Sequence, residues 1–264
     1  MIIIGEKLNS SIPSTQSVMN ARDTCAIRAL IENQVALGAN YIDINTAVCN
    51  NELEDMLWIL GIAAEVIKGC DCGIMIDTTS EKVAAAAAEF LFDKNVPMIL
   101  NSITVTDRFD TFLPIVKKYG TGVVCLPIGD EGIPMTAAER VENAGIIIGR
   151  LKDAGIEENR IYIDAIVEAL ATGEDNPSIT LDTISMIKAK FPSVYTVCGL
   201  SNISFGLPRR ICLNTAFLAM AIYSGLNAAI MDITSKPMRD ALYAVEALCG
   251  RDEYCMNYID YMRE

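Results

Sequence analysis

Seven short apolar runs in this 264-residue sequence stop on a carboxylate or an amide: at Glu6, at Asp43 with Asn45, and at Asp77, Asn101, Asp164, Asn202 and Asp232. Gathered at one place, such side chains are acceptors with few cations among them. They suit one of two ligand classes. Asp and Asn oxygens hold Mg²⁺ or Ca²⁺. They also recognise a heterocycle with an amino-amide edge, because one carboxylate accepts parallel bonds from an exocyclic amine and its neighbouring ring N–H. Residue types alone leave these two readings level. Asp and Asn also cap helices, which accounts for Asp232 and leaves the set as a whole unexplained.

What the sequence lacks is as restrictive. It contains no histidine, so Ser-His and Cys-His nucleophiles, histidine general acids and His-ligated metals are excluded. A net charge of −13 argues against nucleic acid, whose phosphates require a basic face. Nine cysteines without a signal-peptide core are expected to be reduced thiols in a cytoplasmic protein. Cys125 and Cys198 read as core, and the pair Cys70/Cys72 as a turn before a strand.

The acceptors need elements to position them. Strand-like apolar runs at 2–5, 41–45, 73–77, 97–101, 122–126, 160–164, 194–198 and 228–232 alternate with amphipathic stretches. The clearest of these are 24–37, 52–68, 81–90, 137–153, 179–190 and 211–224, with a last helix at 238–249. Near-continuous apolar strands predict parallel pairing with both faces covered. Eight such units in one chain predict a single-domain (β/α)8 barrel over residues 1–264. In that fold the C-terminal strand ends converge on one mouth, where active sites are built. The longest uncharged run, 211–231, is broken by Asn214, Ser224-Gly225 and Asn227 and reads as a helix followed by a strand rather than a membrane span.

The segment "GLSNISFGLPRR", continued by "LNTAFLAMAIYSGLNAAIMD", resembles the methyltetrahydrofolate:corrinoid methyltransferases and, more distantly, the folate domain of cobalamin-dependent methionine synthase. "IIIGEKLN", "GANYIDIN", "IMIDTTS", "MILNSI" and "IYIDAI" are similar to other strands of the family, so the resemblance covers essentially the whole chain. It implies a pterin-binding barrel in which Asp77, Asn101 and Asp164 contact the pterin; Asp43 and Asn45, at the end of the second strand, are expected to bind the folate with them. Asn202 would stand beside the folate N5, flanked by Gly199 and Ser201, and Arg210 would be a binding arginine. The resemblance departs at Ala165, where several relatives carry proline, and at Phe205, where a relative carries a polar residue. It implies methyl transfer between (methyl)tetrahydrofolate and a corrinoid, with no metal held by the barrel itself. Corrinoid domains of such systems present a histidine to cobalt; this chain has none, so the corrinoid is expected on a partner protein. Relatives are homodimers, and Phe217, Leu218, Met220 and Ile222 make helix 211–224 the expected interface. The alternatives are a dihydropteroate synthase-like enzyme, a non-catalytic folate-binding barrel, and a metal- or lysine-dependent lyase, for which Lys7 is the only lysine expected at the mouth.

Overall fold

The computed structural model describes residues 1–106 and 108–263. Eight strands close a parallel barrel in chain order: β1 (Ile2–Asn9), β2 (Tyr41–Asn45), β3 (Gly73–Asp77), β4 (Met98–Ile103), β5 (Gly122–Cys125), β6 (Ile161–Asp164), β7 (Tyr195–Gly199) and β8 (Ala228–Met231). Helices α1 (Pro13–Asn20), α2 (Thr24–Ala36), α3 (Glu52–Val66), α4 (Glu81–Asp93), α5 (Phe109–Tyr119), α6 (Ala137–Asp153), α7 (Asn176–Lys190), α8 (Arg210–Tyr223), α9 (Lys236–Leu248) and α10 (Met256–Arg263) surround it. The expected (β/α)8 architecture is present. Ile4, Met75, Ile99, Val124, Tyr162, Val197 and Ala228 pack together inside the barrel. Tyr162 and Tyr195 stack with centroids 4.9 Å apart. Side chains alternate along a strand, so the residues two positions further on, at the strand ends, also face inward, but at the mouth.

Three helices escape the sequence pattern. In α5 the apolar stripe Phe109, Phe112, Ile115, Val116 is genuine, but Pro114 lies inside the helix, and an interior proline ordinarily ends one. The eight-residue helices α1 and α10 are too short to show a period, and α10 buries none of its residues. The last helix is therefore α10, not α9. β1 runs four residues beyond the expected end because a bulge between Gly5 and Leu8 carries the charged pair Glu6-Lys7 while pairing resumes at Leu8 and Asn9. Cys125 and Cys198 are fully buried, and burial raises both thiols. Cys72 is buried and Cys70 exposed.

Candidate functional site

The deepest part of the mouth is a ladder set by strand register. Asn45 pairs with Asp77 across β2 and β3, and Asp77 with Asn101 across β3 and β4. Asn45 Nδ2 donates to Asp77 Oδ2 at 2.8 Å, while its Oδ1 accepts from Ser10 Oγ. Asp43 lies two residues below Asn45 on the same face; it is 2% exposed, and its buried Oδ1 accepts no hydrogen bond among the described residues. Burial, then the charges of Asp77 and Glu6, push the Asp43 carboxyl well up. Asp77 is raised by burial, an effect that the Asn45 bond and the charge of Arg108 oppose.

Asp164 closes the opposite wall at the end of β6. Burial pushes it up to about 6, against the Ile166 N–H and the charge of Arg140, and with the charge of Asp77. Its geometry depends on Arg140, a residue with no exposed surface. Arg140 Nη1 donates to the carbonyls of Ala165 and Ile166 at 3.0 and 2.7 Å, Nη2 to Glu168 at 2.6 Å, and Nε to Pro134 O at 3.0 Å. Ile166 has φ 57°, which is costly for a β-branched residue. Arg140, Thr180 Oγ and Asp164 Oδ1 together fix it there. The Ala165 N–H donates to Val197 O at 3.0 Å.

The third wall follows β7. Its strand opens at Gly199 into a 3-10 turn, Leu200–Ser204. A Cβ on Gly199 would lie 3.2 Å from Asn202 Nδ2, so the glycine leaves room for that amide. Asn202 is exposed, and its side chain bonds to no described residue. Ser201 Oγ donates to both oxygens of Glu6, at 2.8 and 3.1 Å. Arg210 braces the turn, with Nη2 on Ser201 O at 2.6 Å and Nε on Ser204 Oγ at 2.9 Å. A cavity of about 560 Å³ opens here, lined by Glu6, Lys7, Ser201, Asn202, Phe205, Arg210 and Asp232 among others. Lys7 Nζ faces Asp232 at 2.7 Å rather than the carboxylate ladder.

The structure thus brings Asp43, Asn45, Asp77 and Asn101 together, sets Asp164 across from them, and places Gly199, Ser201, Asn202 and Arg210 on the remaining side. None of the strand-end acceptors caps a helix. The side-chain caps belong to Asp23, Asn51, Ser80 and Thr136, and Asp232 turns back onto Thr234 instead. Two supports went unread. Gln34 and Arg140 each interrupt the apolar stripe of a helix, among Ile27 and Ile31 in α2 and among Val141, Ala144 and Ile147 in α6. A polar residue in a buried stripe was the available signal. Gln34 Oε1 accepts from Lys7 N at 3.1 Å and holds the β1 bulge. A Cβ on Gly5 would collide with that oxygen.

A carboxyl raised in the fold binds its proton more tightly folded than unfolded, so its stabilising contribution is full below the unfolded pKa and lost as pH rises through the folded value. For Asp164 that window runs from 3.8 to about 6. Asp164→Asn should therefore stabilise the unliganded protein at pH 8 by about 1–3 kcal/mol, a Tm gain of a few degrees, and have little effect near pH 4. Thermal melts at the two pH values check this; equal effects at both would contradict it.

The sequence model of the pterin binding enzymes matches residues 5–232. A methylcorrinoid:tetrahydrofolate methyltransferase of Eubacterium limosum is 32% identical over 268 aligned positions, spanning 100% of this chain and 97% of that protein. The methionine synthase of Mycobacterium tuberculosis is 30% identical over 246 positions, 88% of this chain but only 20% of that much longer protein. Among solved structures, the 7,8-dihydropteroate synthase of Vibrio fischeri ES114 superimposes with a TM-score of 0.72 over 94% of this chain and 92% of its own, at 16% identity, a likeness of fold alone. With the inward ladder of Asp and Asn at a barrel mouth, these matches establish that the chain is a pterin binding enzyme of the methyltetrahydrofolate:corrinoid methyltransferase family.

Proposed function

We propose that the barrel moves a methyl group between N5 of (methyl)tetrahydrofolate and the cobalt of a corrinoid carried on a separate protein. The observation that carries this reading is the Asn202 amide, which lines the mouth cavity and bonds to no described residue. A pure anchoring site has no use for an uncommitted amide away from the ladder. Asp77 and Asp164 take the amino-amide edge of the pterin, Asn101 bonds the ring, and Asp43 supplies a further acceptor beneath it. Methyl transfer leaves the N5–carbon bonding pair on N5, which accepts it poorly until the nitrogen carries positive charge. The Asn202 carbonyl accepts a bond from N5–H⁺ and strengthens as that charge develops, which is where binding energy accelerates a reaction. A carboxylate there would stabilise the protonated ground state as well.

The same residues serve both directions, supplying methyl to a corrinoid in acetyl-CoA synthesis or receiving it from a methylcorrinoid in a demethylase system. The absence of histidine from the chain is consistent with a cobalt ligand residing on the partner. No metal enters this scheme. Purified protein mixed with methyltetrahydrofolate and reduced free cobalamin should bleach the cob(I)alamin band at a rate indifferent to chelator. A band that persists, or activity abolished by chelator and restored by a divalent ion, would refute the reading.

We infer in addition a cytoplasmic homodimer. No helix among the described residues is long and apolar enough to cross a membrane. The helix expected at the dimer interface contributes differently from the sequence expectation: Phe217, Leu218 and Ile222 are buried in the barrel's own core, and only Met220, at 50% exposure, stays outside. Tyr223 and Leu248, each more than four-fifths exposed, supply a larger apolar surface at the end of α8 and α9. Light scattering should give twice 28.7 kDa, reverting to one chain in Tyr223→Glu; a monomeric wild-type protein at micromolar concentration would exclude the dimer.

A further inference from the structure

Methyl transfer at N5 requires a proton to arrive there or leave, and the acceptor ladder does not provide one where Asn202 stands. A carboxyl group at the same cavity lies on another strand. Glu6 sits in the β1 bulge, lines the cavity beside Asn202 and receives the hydroxyl of Ser201, the residue immediately before Asn202. The two partners are 195 positions apart in sequence, so only barrel closure brings them together.

We propose that Glu6 and Ser201 form a two-member proton relay to the N5 edge of the folate; this rests on the methyltransferase reading above. In the direction that demethylates the folate, the Glu6 carboxyl passes its proton to Ser201 Oγ while the Ser201 hydroxyl passes its own to N5. The N5–methyl bond then breaks with its electron pair left on N5, as the acceptor's pair forms the new bond to carbon. Glu6 ends as a carboxylate and N5 as the secondary amine of tetrahydrofolate. The reverse reaction returns the proton along the same two oxygens, and between turnovers in either direction Glu6 exchanges its proton with solvent.

The surroundings suit a carboxyl that must keep a proton until needed. Burial raises Glu6 above the ordinary glutamate range, and Asp232 on the loop after β8 adds to the rise. The Ser201 bond, Lys7 on its own strand and Arg210 on α8 oppose it. Asp43 from β2 is the remaining facing carboxyl, and it feels the charge of Glu6. Lys7 is itself committed to Asp232, and Arg210 to the turn. Among the described residues the side chain that hydrogen-bonds Glu6 is the Ser201 hydroxyl, and both residues line the cavity.

The test measures methyl transfer from methyltetrahydrofolate to free cob(I)alamin, with folate affinity measured separately by calorimetry. Glu6→Gln should lower kcat about 10²-fold, the usual contribution of a positioned acid, with Kd within about threefold of wild type. The fall in rate as pH rises through the Glu6 pKa should vanish with it. Ser201→Ala should lose as much, the double variant no more than either alone, and Ser201→Thr, which keeps the hydroxyl, should recover most of the rate. A Glu6→Gln enzyme with wild-type kcat and an unchanged pH profile would overturn the relay, as would a loss confined to Kd or a fully active Ser201→Ala. Wild-type protein that binds the folate but transfers no methyl would instead overturn the methyltransferase reading itself, before any substitution is made.

Discussion

Asn202→Ala lowers kcat for methyl transfer by about 10²–10³-fold and leaves methyltetrahydrofolate affinity within a few-fold of wild type. The size follows from removing one preorganised group that bonds charge developing in the transition state, about 2–4 kcal/mol in comparable sites. The asymmetry between rate and binding follows from geometry. Asn202 stands on the β7 turn, apart from the ladder of Asn45, Asp77 and Asn101 proposed to hold the pterin. Its amide is committed to no other described residue, so truncation leaves no buried group unpaired and the turn intact. Arg210 and the Glu6–Ser201 bond hold that turn without it. Asn202→Asp sharpens the test. A carboxylate favours protonated N5 already in the ground state, so the pH profile of folate binding should shift in this variant and not in Asn202→Ala. Steady-state kinetics with parallel calorimetry decide it: a rise in KM with kcat intact would make Asn202 a binding residue only.

Asp77→Ala or Asp164→Ala weakens folate binding by at least about tenfold, because each removes charge-assisted bonds to the amino-amide edge. Asp77 carries an added cost, since its loss frees Asn45 Nδ2, which donates to it at 2.8 Å. Binding by wild type should also weaken below about pH 6, where Asp164 takes up its proton and no longer accepts both bonds. Calorimetric titration of the two variants, and of wild type at pH 5.5 and 7.5, measures both effects. Tight binding by both variants would remove the ladder from the folate site.

The sequence by itself determined the architecture and the cast of the site. Strand residues buried on both faces must be apolar throughout, so the runs were visible. A mouth-facing strand end must turn polar, so Glu6, Asp43, Asp77, Asn101, Asp164 and Asn202 were visible at their ends. The missing histidine was equally plain. α5 stayed hidden because Pro114 contradicts a helix locally, while burial of Phe109, Phe112, Ile115 and Val116 overrides it globally. What only the tertiary structure decided is who touches whom. Period-two alternation sets which face a side chain takes, but register between strands sets its neighbour. Asn45 thus bonds Asp77, whereas Asp43, two residues away on the same face, is left with a buried free oxygen. Arg140 and Gln34 are polar residues in buried helix stripes, and only the fold shows that they meet the loop carbonyls of Ala165 and Ile166 and the Lys7 amide. Buried backbone groups must find partners, and in a closed barrel those partners come from whichever helix lies over the loop, a choice made by packing and written in no local stretch of sequence.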